Sequence, residues 1–165
     1  MTSTMTSTIK YDYDKLFHML ESVTMKMRST KHNTNRRKFP DYRGQIYGRV
    51  NARYKGMREL SKDSLDNPKI FAELNKLGKL IVPFEYTSIQ VNRNLVAPKH
   101  VDGKNIGDSV LVSLGSYNGE SGFLYVDGVK MNPYETPILF NGSQLPHWTT
   151  EITHGVKYSL IYFRC

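Results

Sequence analysis

The second half of the chain sets the tightest limit on its fold. Past residue 84 no apolar pattern has the length and period of a core helix. Instead, seven short runs rich in β-branched and aromatic residues follow one another, at about 85–92, 97–102, 109–115, 122–127, 136–140, 144–149 and 156–163. Gly, Asn, Asp and Pro punctuate them, which is the chemistry of tight turns between antiparallel strands. A set of short strands this large must close or stack on itself to cover its edges, so a jelly roll or barrel is expected.

The first half supplies helices. MTSTMTST (1–8) is small and polar and reads as an unstructured tail. From Tyr13 to Met27, Leu16, Leu20, Val23 and Met27 recur at helical spacing, with the methionines as core filler. A second helix is signposted by Asn67 as N-cap, Pro68 at the first turn and Gly78 as the C-terminal stop. Ile70, Phe71, Leu74 and Leu77 form its buried stripe. The expected organisation is one α+β domain over 1–165: the tail (1–8), a helical and basic part (9–80) and a β core (81–165). No apolar run reaches bilayer length and no charged-then-apolar leader opens the chain, so a cytoplasmic or nuclear location is expected.

Charge is concentrated between the helices. Net charge is +8, and the stretch from Lys26 to Arg58 holds 11 of the 23 Lys+Arg residues with Asp41 as its only acid. Phe39, Tyr42, Tyr47 and Tyr54 are interleaved with them, while Pro40, Gly44, Gly48 and Gly56 suggest loop with short strands. Basic side chains that grip phosphates beside rings that stack on bases would suit DNA or RNA, and a solvated surface segment has the same composition.

The only cysteine is Cys165, which excludes an intramolecular disulfide and thiolate metal sites. Any metal must be held by histidine and carboxylate. His100-Val101-Asp102 offers both: on a strand, residues two apart share a face and can converge on one ion. His147 is placed to add a third ligand from a distant strand. Two imidazoles and one carboxylate on one side of a metal leave positions open, which suits Fe(II) that must bind a co-substrate and O2. Taken alone, an HxD pair is common by chance, and either histidine has ordinary surface or core roles. The context strengthens it. Lys157 follows His147 by ten residues and Ser159 by twelve, and alternation puts both on one face of the last strand, suited to the far carboxylate of a dicarboxylic acid. His154 is a rival, having Arg164 ten residues on, but Arg164 is penultimate and His154-Gly155 reads as a turn.

This layout resembles the 2-oxoglutarate/Fe(II)-dependent oxygenases over about residues 84–163. Within that superfamily it looks most like the TET/JBP-type branch, through Asn92-Arg93-Asn94, Lys104-Asn105-Ile106-Gly107, Gly115-Ser116-Tyr117 and Phe140-Asn141-Gly142-Ser143. The resemblance implies a double-stranded β-helix (jelly roll) with N-terminal supporting helices. It implies Fe2+ on His100, Asp102 and His147, with 2-oxoglutarate and O2 as co-substrates and Lys157 and Ser159 on the distal carboxylate. The implied reaction is hydroxylation, in that branch of a methyl group on a nucleic-acid base. Lys157 departs from the usual arginine and lacks its bidentate fork. The usual Gly-Gly-x-Leu segment appears as Asn118-Gly119-Glu120-Ser121-Gly122-Phe123-Leu124, and the chain leaves little room for a separate DNA-recognition module.

Asn92 is a candidate to hydrogen-bond the co-substrate or orient a ligand, or else flanks a turn. Arg93 reaches a substrate or is a surface charge, and Trp148 points away from the metal into packing. Two further functions compete: a 2-oxoglutarate-dependent hydroxylase of a protein side chain or small molecule, and an inactive jelly-roll module that binds nucleic acid. The intact ligand set with Lys157 argues against the second.

Overall fold

The computed structural model describes residues 3–4, 10–29, 42–51 and 58–165. Two antiparallel sheets with helices against the larger one form the architecture. The strands are β1 (Ser3–Thr4), β2 (Arg28–Ser29), β3 (Arg43–Asn51), β4 (Arg58–Leu60), β5 (Ser88–Arg93), β6 (Ser109–Gly115), β7 (Leu124–Val126), β8 (Val129–Met131), β9 (Ile138–Phe140), β10 (His147–Thr149) and β11 (Lys157–Phe163). The large sheet runs β1-β9-β6-β11-β5-β3-β2, with β4 on β3, and the small sheet runs β10-β7-β8.

β11 is the centre of the large sheet, pairing with β6 on one side and β5 on the other. Its alternation divides the molecule. Tyr158, Leu160 and Tyr162 are fully buried on the face that meets the helices, together with Val110, Val112 and Leu114 of β6. Each buried residue of this kind stabilises the fold by roughly 1.5–3 kcal/mol relative to exposure. The opposite face of the sheet turns Ser159, Ile161 and Phe163 toward a cavity shared with the small sheet.

Helix α1 (Tyr13–Ser22) starts at Asp12, whose carboxylate accepts from the Lys15 amide at 3.0 Å. It buries Leu16 and Leu20 against the sheet. Glu21, at its end, accepts from Tyr158 Oη at 2.6 Å and from Arg93 Nε at 3.1 Å, so one carboxylate ties the helix to two strands. The stripe expected to continue helically to Met27 becomes a 3-10 turn at Thr24–Lys26. Helix α2 (Lys62–Asp66) is capped by Ser61 and precedes α3 (Pro68–Ile81).

Four expectations need correction. Asn67 makes no side-chain cap; its amide donates to the Asp63 carbonyl at the end of α2, a helix the apolar pattern is too short to reveal. Gly78 does not end its helix. It is buried in α3, where a Cβ would collide with the Tyr86 hydroxyl and stand 2.8 Å from Tyr162 Cε1, so glycine serves close packing. Residues 43–51, read as part of a loop with short strands, are one nine-residue strand hydrogen-bonded along β5. Its backbone partners and the burial of Gln45 and Tyr47 outweigh its two glycines. Ser3–Thr4, expected in a tail, pair with β9; the rest of 1–8 and residues 30–41 and 52–57 lie outside the described residues. Among the described residues no helix is long and apolar enough to cross a membrane.

Candidate functional site

The two histidines of the site are neighbours across a single β-bridge. The His100 amide donates to the His147 carbonyl at 3.1 Å, and the His147 amide returns the bond at 3.0 Å. His147 belongs to β10, in register with Val126 of β7. His100 does not lie on a strand. The expected run at 97–102 is an irregular arm, held by this bridge and by Thr149, whose hydroxyl accepts from the Ala97 amide at 2.7 Å. Asp102 reaches the site through a turn, its amide donating to Gly142 O at 2.8 Å and its carbonyl accepting from Asn105 N at 2.9 Å. The i/i+2 argument therefore gives the right convergence for a different backbone reason.

The imidazoles are presented in one tautomer. His100 Nδ1 lies 2.7 Å from Pro98 O and His147 Nδ1 lies 2.9 Å from Leu145 O. A carbonyl only accepts, so each Nδ1 carries hydrogen and each Nε2 is left for the site. Both Nε2 atoms face Asp102, His100 at 3.4 Å and His147 at 3.1 Å, one per carboxylate oxygen. The three residues offer ligand atoms within 4.8 Å of one another. Burial works to raise the Asp102 carboxyl, but hydrogen bonds from His100 and His147 and their charge overcome it and hold it well below the usual carboxylate range. Two Nε2 atoms aimed at one carboxylate require a proton on each or a cation among them. This donor set, with the far ring nitrogens fixed by carbonyls, fits a divalent metal.

Small groups back the cluster. A Cβ on Gly142 would stand 3.3 Å from His147 Cε1 and 3.6 Å from Asp102 Oδ2, so glycine lets the chain pass behind the ligands. Phe140 meets the His147 ring edge-on at 5.1 Å. His154, the rival ligand, is exposed in the turn before β11 and outside the cluster.

The ligands open onto a cavity of about 150 Å³. Gln90 and Asn92 of β5, Ser159 of β11 and Asn105 supply polar groups to its wall, and Leu124 and Phe140 apolar ones. Asn92 is buried with its Oδ1 accepting from Gln90 Nε2 at 2.9 Å, which turns its own amide donors outward from that bond. Gln90 and Thr149 were readable in principle: each stands two positions from a residue already singled out, hence on the same face.

Lys157 shares the inward face with Ser159 but stands one position beyond the cavity wall. It is only 1% exposed, and its Nζ donates to Gly122 O at 2.8 Å. Burial pushes this amine down to about 8. Among the described residues it has no carboxylate partner. Arg93 is committed to Glu21. Trp148 stacks on Tyr125 with centroids 5.1 Å apart and planes 5° from parallel, Lys99 lying over its ring. In the basic stretch Tyr47, on the inner strand β3, and Tyr42, packed with Leu95 and Ala97, are buried, so neither ring is exposed to stack on a base; Phe39 and Tyr54 lie outside the described residues.

No protein-family model matches the chain, and no curated protein matches its sequence. Solved structures do match. NgTET1 in complex with 5mC DNA superposes with a TM-score of 0.64 at 16% identity, over 92% of this chain and 67% of that one. A 2OG-Fe(II) oxygenase family oxidoreductase from Burkholderia pseudomallei gives 0.59 at 18% identity, over 98% and 82%. The prolyl hydroxylase from Trichoplax adhaerens, in complex with a hypoxia inducible factor peptide, gives 0.59 at 11% identity, over 99% and 83%. At 11–18% identity the likeness is one of fold.

Proposed function

We propose that this chain, built on that fold, is an Fe(II)- and 2-oxoglutarate-dependent dioxygenase that hydroxylates a methyl group on a nucleic-acid base. One observation carries the chemistry: His100, Asp102 and His147 present two tautomer-fixed Nε2 atoms and a carboxylate at a cavity mouth. We read the two sheets around that cavity as a double-stranded β-helix with the N-terminal helices as its support.

His100, Asp102 and His147 would hold Fe(II), and Ser159 and Lys157 the distal carboxylate of 2-oxoglutarate. With O2, that pair supplies oxidative power that inserts oxygen into a C–H bond and releases succinate and CO2. The chain's own residues do the rest. Pro98 O and Leu145 O keep hydrogen on Nδ1, so Nε2 is the ring nitrogen left to bind the ion. Leu124, Phe140 and Ile161 line the interior and exclude water from it. Asn92 is held by Gln90 with its amide donors available to the co-substrate or to a ligand.

The base reading draws support from the DNA-bound neighbour, from the net charge of +8, and from the carboxamides of Gln90, Asn92 and Asn105 beside the site. Carboxamides pair well with the edge of a base. The peptide-bound prolyl hydroxylase, covering the chain as fully, favours a second reading in which the substrate is a protein side chain. Fe(II)-dependent succinate release that disappears in His100→Ala establishes the oxygenase. Mass spectrometry of bases after incubation with methylated DNA and RNA then decides the substrate. Unmodified bases alongside turnover of a peptide library would replace the first reading with the second.

A further inference from the structure

The small sheet has two unlike faces. Along β7 and β10 the buried side chains alternate: Leu124 and Val126 on one strand, His147 and Thr149 on the other. Between them Tyr125 and Trp148 point the opposite way and are cross-strand partners, with Lys130 of β8 beside Tyr125. The His100–His147 bridge extends this row by one segment, because it brings Lys99 next to Trp148, its Nζ 5.6 Å from the ring. The outer face therefore carries Lys99, Trp148, Tyr125 and Lys130 in line, two rings stacked 5° from parallel between two ammonium groups. Three strand spacings separate the ends of the row, about 14 Å in all. Phe123 stands at its side, with Lys130 Nζ 4.0 Å from the ring centre. Both lysines are exposed, and among the described residues neither forms an ion pair, not even with Asp127 or Glu151, the exposed acids closest in sequence to the row.

Rings flanked by unpaired cations match a ligand that is anionic along its length and carries flat apolar faces. An extended strand of nucleic acid has both properties. We propose that the outer face of the small sheet is a docking track for single-stranded nucleic acid, which holds the nucleotides next to the reacting one. Lys99 leaves the Trp148 ring for a phosphate, and a base takes its place on the ring. The exchange is favourable because a base stacks on an indole more strongly than an exposed ammonium does. The freed ammonium gains a phosphate contact with release of counterions. A duplex keeps its base faces stacked on one another and offers this row only phosphates. Trp148 follows the ligand His147 and borders the cavity, so a strand on the track has one end beside the metal ligands. The proposal rests on the base reading of the site for what the strand is brought to. It puts the nucleic-acid contact away from the Lys26–Arg58 stretch, whose described tyrosines are buried.

Trp148 is the only tryptophan, so its emission reports on the track without a label. The metal-free full chain is titrated with a short oligothymidylate, with the same strand paired to oligoadenylate, and with dextran sulfate, a polyanion that has no bases. The single strand should quench Trp148 to saturation and bind at least about tenfold more tightly than the other two. Lys99→Gln and Lys130→Gln should each reduce the slope of log affinity against log salt by about 0.7, the share of one phosphate on a single strand. Trp148→Ala, followed by anisotropy of a labelled strand, should bind about tenfold more weakly, and Trp148→Phe should recover most of the loss. Binding without quenching, or salt slopes unaltered in both lysine variants, puts the nucleic acid elsewhere and overturns the proposal. Equal affinity for the duplex or for dextran sulfate also overturns it, reducing the face to a patch of charge. No step here needs Fe(II) or 2-oxoglutarate, so failure of the track leaves the oxygenase to be judged by succinate release. Quenching by the single strand without any succinate release would support the track and remove the oxygenase.

Discussion

Replacing Lys157 with methionine should make the protein more stable and nearly useless. The lysine is 1% exposed and its amine is lowered from 10.5 to about 8 by burial. At pH 7 the amine is charged in both folded and unfolded chains, and a depression of this size corresponds to about 3 kcal/mol of destabilisation. Methionine fills the same channel without the charge. It leaves Gly122 O without its donor, which costs about 1 kcal/mol. The net gain is about 2 kcal/mol, or roughly 4–8 °C in Tm for a chain of this length. The pH dependence identifies the cause. Between about 8 and 10.5 the unfolded chain binds a proton that the folded one has released, so the stability of the unaltered protein rises with pH and closes the gap. Thermal denaturation from pH 7 to 10, followed by circular dichroism without co-substrate, measures this. The same variant should bind 2-oxoglutarate roughly 100-fold more weakly, since a charge-assisted contact is worth up to about 3 kcal/mol. A variant less stable at pH 7, or a gap that does not change with pH, would refute the reasoning.

Three other outcomes follow from the geometry. Gly142→Ala places a methyl group 3.3 Å from His147 Cε1 and 3.0 Å from Phe140 Cε2; Co(II) affinity, read from its visible spectrum, should fall at least tenfold while Tm falls by only a few degrees. Asp102→Asn removes the anionic ligand between two Nε2 atoms; metal-induced stabilisation in thermal shift should vanish while the metal-free fold persists. Burial raises the Glu21 carboxyl, but hydrogen bonds from Tyr158 and Arg93 outweigh it and hold it below the ordinary value. Its folded pKa being the lower one, its contribution is present above the unfolded pKa and disappears as pH falls through the folded one. Glu21→Gln should therefore be less stable than the unaltered protein at pH 7 and converge with it in denaturant titrations as pH falls through the folded pKa of Glu21.

What the sequence made legible divides along physical lines. The inward face of β11 was readable because period-two alternation on a fully paired strand leaves no freedom. Six of the seven expected β runs contain a strand for the same reason. The seventh, at 97–102, failed because it is held by one isolated bridge to His147, by Thr149 and by Gly142 rather than by a continuous ladder, a long-range arrangement with no local signature. The short strands β4 and β8 were missed since neither buries a face: Glu59, Leu60, Val129 and Lys130 are all exposed, so no apolar alternation marks them. Gly78 was misread because a glycine that permits tight packing looks, in sequence, like one that ends a helix.

The clasp between His100 and His147 has a bearing on how an ion enters and leaves. His147 is fixed in a three-strand ladder, whereas His100 and Asp102 ride together on an arm attached by a few isolated backbone bonds. Breaking those bonds lifts two of the three ligands at once and leaves the sheet untouched. An ion held by these three residues would exchange through local opening, with a lifetime decoupled from that of the global fold. Amide hydrogens at His100 and Asp102 should exchange as one unit, slowly when the ion is in place and much faster without it. The ion, on this view, is also the fastener that sets the arm's clock.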